Sequence, residues 1–314
     1  MNFAKFNCNQ KTTRDEKVKR YAHNPILEPI GTHTWESSLV FNAAAFAANN
    51  RVHILYRAIG TDNVSRIGLA ASSDGYNIDE RLPLPVFNPS NDTENQGCED
   101  PRLSLFGNSL IMAYTAFGTH FEHQVYQIGL TSINVDDFLA RRWKWSERIL
   151  AFPGIHNKDA VLFPQKFNGD YVMFHRLEPD LCIARSSDLR RWSDLKFILG
   201  PREKGWDSWK VGAAGPPFLI NEGWLLIYHG VSADRVYSLG VALLDKNNPE
   251  QVLYRSEEPI LTPTEDYERF GKVPNVVFSC GQVMMDNQLL IYYGAEVSAL
   301  CVATVDLAEL LPKK

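Results

Sequence analysis

Two adjacent carboxylates, Glu99 and Asp100, stand beside the guanidinium of Arg102 in the segment GCEDPRLSLF, which leads into an apolar run. A carboxyl group held at such a point can act as a general acid, and a second carboxylate could activate water for hydrolysis. The same residues could also form a charged surface turn. The segment therefore predicts either the acid end of an active site or a structural turn.

Potential cations lie farther along the chain, close to apolar segments that have the character of strands. Such side chains can bind a phosphate-sized anion through charge-assisted hydrogen bonds. Each could instead form a structural ion pair with a carboxylate such as Asp159 or Glu178. The candidate anion-binding residues are Lys158, Arg176, Lys210 and His229.

The strands that must position these groups follow a sequence pattern that repeats along the chain. Five segments share a turn, an apolar strand ending in an aromatic residue, and polar groups: NNRVHILYRAIG, FGNSLIMAYTAFG, FNGDYVMFHRLE, NEGWLLIYHGVS and MDNQLLIYYGAE. We align their marker aromatics, which are spaced 54 to 64 residues apart: Tyr56, Tyr114, Phe174, Tyr228 and Tyr292.

Further strand candidates flank every repeat, and helical periodicity is nearly absent. Units of this size, each with three or four antiparallel strands, are typical of a β-propeller, in which packed blades bury the sheet faces. Two stacked β-sandwiches are the alternative, but five equivalent units do not divide easily between them. We predict an all-β, five-bladed propeller as one catalytic domain over residues 23–314. It is preceded by an N-terminal arm, residues 1–22, that could contact a partner subunit or be merely a tail.

In a propeller, equivalent positions of successive repeats converge on a central channel. Three candidates directly follow a marker aromatic: Arg57, His175 and Tyr293. Asn42 interrupts an apolar strand, and Tyr237 is an aromatic residue that could stack on a sugar ring. Together these positions predict a shared ligand site at one end of the channel.

Composition excludes several classes of protein. The formal net charge of −5 argues against a nucleic-acid or anionic-membrane partner. The charged start MNFAKFNCNQKTTRDEK is unlike a signal peptide. Five cysteines without a Cys-x-x-Cys pair, and histidines without His-x-x-x-His spacing, predict free thiols and no metal site. We expect a cytoplasmic protein, and a homo-oligomer is compatible with the sequence.

Nine motifs follow one another along the chain: LYRA, CEDPRL, NKDAVLFP, HR, KVGAAGPP, IYHG, LGVALLD, PNVVFSCG and YYGA. Together they resemble glycoside hydrolase family 130, a family of five-bladed propellers that are mostly β-mannoside phosphorylases. The similarity runs from about Asn24 to the C-terminus and covers all five repeats.

The resemblance implies a role for each matching position. Asp100 matches the family's general acid, which protonates the glycosidic oxygen through the 3-hydroxyl of the mannosyl unit. Arg176, Lys210 and His229 match phosphate-binding positions, and Lys158 is a further basic one. Sugar contacts are implied at Asn42, Arg57, His175 and Tyr237, while Glu99 and Tyr293 are added as candidate substrate contacts. Inorganic phosphate is the co-substrate, no other cofactor is required, and the product is α-mannose 1-phosphate.

The chain departs from the family pattern near its end. Val297 stands where the family commonly has a sugar-contacting aspartate, beside Glu296, and Asp159 stands where some members carry asparagine. An inverting β-mannosidase, with Glu296 or Glu265 as base, or a β-mannosyltransferase therefore remains an alternative. A non-catalytic sugar-binding propeller is a third hypothesis. Phosphorolysis is favoured because the sequence has one conspicuous acid motif and several cations. Arg102 is predicted to hold the turn of Asp100 or to set the environment of that acid, rather than to contact the substrate.

Overall fold

The computed structural model describes residues 17–296 and 298–312. Two short α-helices, α1 (Val135–Leu139) and α2 (Asp266–Arg269), and the 3-10 turns Asp92–Glu94 and Leu307–Glu309 accompany the strands. No helix in this part of the chain is long and apolar enough to cross a membrane. The strands are β1 (Lys19–Arg20), β2 (Leu39–Ala48), β3 (Arg51–Ile59), β4 (Ser65–Ser72), β5 (Glu80–Arg81), β6 (Gly97–Phe106), β7 (Ser109–His120), β8 (His123–Asn134), β9 (Ile149–Leu150), β10 (Lys158–Leu162), β11 (Tyr171–Leu177), β12 (Asp180–Ser186), β13 (Ser193–Leu199), β14 (Lys210–Ala213), β15 (Phe218–Leu219), β16 (Trp224–Val231), β17 (Tyr237–Leu244), β18 (Val252–Arg255), β19 (Val277–Met285), β20 (Gln288–Ala295) and β21 (Ala299–Asp306).

These strands form five antiparallel blades. Blade 1 contains β2–β5, blade 2 β6–β9, blade 3 β10–β13, blade 4 β14–β18, and blade 5 β19–β21 together with β1. One parallel residue pair, Ser65 with Gly97, connects blades 1 and 2. The prediction of a five-bladed, all-β propeller is confirmed.

The chain's two ends meet in blade 5. Lys19 pairs with Thr304 and Arg20 with Ala303, so the N-terminal strand β1 forms the outer edge of the blade that the C-terminal strands build. The predicted boundary between arm and propeller at residue 23 therefore differs from the structure, in which residues 19 and 20 are part of the propeller. The remainder of the predicted arm, residues 1–16, lies outside the described residues.

Apolar residues fill all five spaces between neighbouring blades. Separate buried clusters lie between blades 1 and 2, 2 and 3, 3 and 4, 4 and 5, and 5 and 1. Both faces of each sheet are therefore covered, which explains why the middle strands contain continuous apolar runs rather than alternating polar and apolar residues.

The marker aromatics differ in whether they pack against the preceding or the following blade. Tyr56, Tyr114 and Tyr228 pack against the preceding blade, whereas Phe174 and Tyr292 pack against the following one. Successive side chains of a strand point to opposite faces, so our alignment is wrong by one residue in blades 3 and 5. His175 and Tyr293 occupy the positions equivalent to Tyr56.

Four blades contain a buried carboxylate that binds both a tyrosine hydroxyl and an arginine. The arginine comes from the outermost strand of the blade or directly precedes it. Because every member contributes hydrogen bonds, the carboxylates are stabilised without solvent. We call these sets the triads: Tyr56–Glu36–Arg81, Tyr114–Glu94–Arg148, Tyr228–Asp207–Arg255 and Tyr293–Glu268–Arg20.

Candidate active site

The innermost strands of blades 1, 2 and 3 each carry a β-bulge at an asparagine or aspartate. Asn42, Asp100 and Asp159 have φ values of 45°, 49° and 57°, in the left-handed region. The pairing of β2, β6 and β10 with their neighbours shifts at these residues. Asparagine and aspartate tolerate this conformation better than most residues, and a bulge redirects a side chain. The three bulges place these polar side chains at one cavity.

The cavity has a volume of about 520 Å³, within the usual range for ligand sites. One part of its wall is cationic and another is apolar. The lining residues are Phe41, Asn42, Arg57, Asp100, Tyr126, His156, Asn157, Lys158, Asp159, Arg176, Glu178, Lys210, Tyr237, Val273, Val276 and Phe278.

Asp100 is almost fully buried and accepts hydrogen bonds from Asn42 Nδ2 at 2.9 Å and Arg57 Nη1 at 3.2 Å. Burial favours the neutral acid, but the charges of Arg57, Lys158 and Arg102 and the bond from Asn42 outweigh it, and the pKa of Asp100 lies below its ordinary value. The carboxyl group is therefore ionised near neutral pH.

Glu99 lies behind this wall rather than in it. Its carboxylate accepts from Arg57 Nη2 at 2.6 Å and Ser65 Oγ at 3.3 Å, and Lys158 Nζ lies 3.2 Å away. The ammonium of Lys158 also lies 3.9 Å from the ring centroid of Tyr126. Glu99 thus orients two cavity-lining cations.

Asp159 is the centre of a buried cationic cluster. Its Oδ1 accepts from Arg102 Nη2 at 3.0 Å, while Oδ2 lies 2.5 Å from Arg176 Nη1 and 3.3 Å from His229 Nε2. Three partners hold the pKa of Asp159 well below its ordinary value, against the effect of burial. A Cβ at Gly212 would lie 2.6 Å from both Oδ2 and the imidazole, so this packing requires glycine. Arg102 also donates to the Asp100 carbonyl at 3.0 Å and holds that turn, as predicted.

The two predicted histidines are buried beneath the cavity surface. His229 contacts Phe278 with ring centroids 4.5 Å apart, and burial lowers its pKa despite the nearby Asp159 carboxylate. His175 shares a hydrogen bond with Asn157, and burial lowers its pKa to about 4. Both rings are therefore neutral near neutral pH.

Lys210 is a further cation of the cavity lining. Its ammonium donates to Glu178 Oε1 at 2.8 Å and lies 4.4 Å from the ring centroid of Trp209. Arg176 Nη2 lies 3.4 Å from the same Glu178 oxygen. Because the Glu178 side chain is 58% exposed, solvent weakens these ion pairs and an incoming anion can compete for both cations.

The predicted site residues fall into three groups. Seven line the cavity: Asn42, Arg57, Asp100, Lys158, Arg176, Lys210 and Tyr237. Glu99, His175 and His229 support the lining from behind. Tyr293 is not brought to the cavity, because its hydroxyl donates to Glu268 at 2.9 Å within a triad.

The two carboxylates considered as hydrolytic bases also lie outside the cavity lining. Glu265 caps helix α2, and Glu296 accepts from Ser298 Oγ at 2.5 Å and from the Lys272 amide. Val297 lies outside the described residues. The sequence interpretation missed the apolar wall, including Tyr126 and Phe278, because aromatic residues in strands resemble ordinary core residues.

Comparison with known proteins places the chain in one family. The model of glycoside hydrolase family 130, described as beta-1,4-mannooligosaccharide phosphorylase, matches residues 14–312. A 1,2-beta-oligomannan phosphorylase of Thermoanaerobacter sp. (strain X514) is 42% identical over 302 residues, covering 94% of this chain and 99% of the relative.

Two further relatives agree with this match. A beta-1,2-mannobiose phosphorylase of the same Thermoanaerobacter strain is 42% identical over 303 residues, covering 92% of this chain and 97% of the relative. The solved beta-1,2-mannobiose phosphorylase from Listeria innocua, in complex with beta-1,2-mannobiose, superposes with a TM-score of 0.81 at 26% identity, covering 93% of this chain and 98% of that chain.

Proposed function

The chain belongs to glycoside hydrolase family 130, and on that premise we propose that it cleaves β-1,2-linked mannosides by inverting phosphorolysis. Phosphorolysis of β-mannosides is the activity that its relatives support. The observation that carries the proposal is that the candidate acid Asp100 lies in a single cavity with four cations, which are Arg57, Lys158, Arg176 and Lys210. The β-1,2 linkage is supported by the names of the two relatives that are 42% identical.

Asp100 supplies the proton in this reaction. The bond between the anomeric carbon and the glycosidic oxygen breaks, the proton passes from Asp100 through the mannosyl 3-hydroxyl to the leaving oxygen, and a phosphate oxygen bonds to the anomeric carbon from the opposite face. The products are α-mannose 1-phosphate and a shortened acceptor. Asn42 and Arg57 stabilise the carboxylate that remains, because both already donate to it.

Phosphate binding also explains how Asp100 obtains its proton. The cations that lower the pKa of Asp100 include Arg57 and Lys158. A bound phosphate places negative charge beside these groups and offsets their effect, so the pKa of Asp100 rises when the co-substrate is present. The acid is thereby protonated in the complex that needs it.

The carboxylates of the cavity favour phosphate over water as the nucleophile. An inverting hydrolase needs a second carboxylate that can accept a proton from water. Asp159 is held by Arg102 and Arg176, and Glu178 pairs with Lys210. These ion pairs disfavour either group as a base, whereas the cations they contact suit an anion.

The decisive experiment measures cleavage of β-1,2-mannobiose and β-1,4-mannobiose with and without inorganic phosphate. We expect mannose 1-phosphate from the β-1,2 substrate only when phosphate is present. Equal mannose release after rigorous removal of phosphate would identify a hydrolase, and preference for the β-1,4 substrate would overturn the linkage. A GDP-mannose control tests the transferase alternative.

We further propose a reducing, cytoplasmic setting and inorganic phosphate as the co-substrate. The four cysteines within the described residues are buried free thiols, which supports the first point. The cationic wall of the cavity supports the second. Assembly into a homo-oligomer stays a prediction, to be tested by light scattering.

A further inference from the structure

Arg102 connects two β-bulges, the one that carries Asp100 and the one that carries Asp159. Its side chain is 1% exposed, and its three nitrogens donate to different blades. Nη1 donates to the Asp100 carbonyl at 3.0 Å, Nη2 to Asp159 Oδ1 at 3.0 Å, and Nε to the Ala214 carbonyl at 2.8 Å. Asp100 and Asp159 are thus linked through one rigid group.

The other oxygen of Asp159 restrains two residues that belong to the proposed phosphate site. Oδ2 lies 2.5 Å from Arg176 Nη1 and 3.3 Å from His229 Nε2, and these two nitrogens are 3.2 Å apart. Nη1 of Arg176 is therefore committed to Asp159, while Nη2 faces the exposed Glu178. This arrangement leaves Nη2 as the terminal nitrogen that an anion can reach.

We propose that Asp159 is a positioning residue for phosphorolysis, which fixes Arg176 and His229 at a set distance from Asp100. The inference rests on the proposed function, because it assigns the restrained guanidinium to inorganic phosphate. Attack on the anomeric carbon requires phosphate and acid at defined places on opposite faces of the sugar. A displacement of about 1 Å can reduce such a reaction by about a hundredfold.

The charge of Asp159 is as important as its shape. Arg102 and Arg176 are buried guanidinium groups, and a buried charge without a counter-charge is strongly unfavourable. Replacing Asp159 with the isosteric asparagine keeps the volume but removes the charge that holds both guanidinium groups. Arg176 then loses its fixed orientation, and phosphate binding weakens more than mannoside binding.

The test is Asp159→Asn, with KM measured separately for phosphate and for the mannoside. We expect KM for phosphate to rise about tenfold or more, as for loss of a charge-assisted hydrogen bond, while KM for the mannoside changes less than about twofold. Direct calorimetric titration with inorganic phosphate should show a similar rise in Kd.

Asp207→Asn is the matched control, because Asp207 is also fully buried beside two arginines, Arg202 and Arg255, but does not line the cavity. It should destabilise the protein without changing either KM. Should Asp159→Asn fail to fold, Gly212→Ala displaces the same carboxylate and imidazole without removing charge, and should also raise KM for phosphate.

Three results would overturn the inference: unchanged phosphate affinity in the folded variant, tighter phosphate binding, or an equal rise of both KM values. A wild-type protein that makes no mannose 1-phosphate from any β-mannoside would instead contradict the proposed function. In that case the calorimetric comparison of wild type and Asp159→Asn still decides whether Asp159 positions an anion site.

Discussion

The cavity and the triads offer a direct comparison, because both bury carboxylates beside arginines. In the triads the carboxylate comes from the segment before a blade and binds a tyrosine of the middle strand. At the cavity the carboxylates of Asp100 and Asp159 come from bulges of the innermost strands. Burial and ion pairing are thus common to both, and the position along the sheet separates the carboxylates of the triads from those of the proposed active site.

Blade 3 makes the difference clearest. Among the described residues it has no triad, because His175 occupies the tyrosine position and bonds to Asn157 rather than to a carboxylate. The same blade supplies Lys158, Asp159 and Arg176 to the cavity. The blade that contributes most charge to the site is therefore the one without the structural device of the other four.

Of the substitutions that compare the cavity with the triads, replacement of Asp100 should have the largest effect, a loss of kcat. Asp100→Asn keeps the bond to Arg57 possible but cannot donate the catalytic proton, so we expect kcat to fall about a hundredfold or more. Steady-state production of mannose 1-phosphate measures this loss, and thermal unfolding reports on stability. An asparagine variant with nearly normal kcat would show that Asp100 is a structural carboxylate like those of the triads.

Replacing a triad carboxylate should affect stability instead. Glu268 is fully buried and accepts from Arg20, from Tyr293 and from the amides of Thr264 and Glu265. Glu268→Gln removes the negative charge of this buried carboxylate and weakens its two hydrogen bonds with Arg20, and breaking a buried pair typically costs about 3–5 kcal/mol. We expect a loss in this range in the free energy of unfolding, measured with urea, while kcat stays unchanged in the folded protein.

The exposed Asp266, on the same short helix, supplies the control for this change. Asp266→Asn should alter the free energy of unfolding by no more than about 0.5 kcal/mol. A fall of kcat in folded Glu268→Gln would contradict the separation between triads and cavity.

Much of the fold was predictable because its repeats are long and share a pattern. The register within blades 3 and 5 was not, since the runs YVMF and LLIYY are apolar at every position and lack the alternation that shows which face a residue occupies. The two-residue strand Lys19–Arg20 was missed for the opposite reason, because it is charged and has no apolar pattern.

The site was predictable where a polar residue interrupts an apolar strand, as at Asn42 and Asp100. The error at Tyr293 follows from the register, since a shift of one residue moved it from the triad position to the supposed channel position. Gly294 follows it, and a Cβ there would lie 2.4 Å from Asn42 Oδ1. The glycine therefore leaves room for a site residue of the next blade, which sequence patterns alone do not reveal.

The variant with the smallest expected effect, Tyr293→Phe, tests whether Tyr293 belongs to a triad rather than to the cavity. Tyr293→Phe removes only the hydroxyl that donates to Glu268, which keeps its other donors, so we expect a loss of about 1 kcal/mol in the free energy of unfolding. Tyr237→Phe is the contrasting variant, because Tyr237 lines the cavity and its hydroxyl can reach a bound sugar. Tyr237→Phe should raise KM for the mannoside with little change in stability, whereas Tyr293→Phe should leave both kinetic constants unaltered. A raised KM for the mannoside in Tyr293→Phe would show that Tyr293 takes part in substrate binding. The distinction between triad and cavity would then not hold in blade 5.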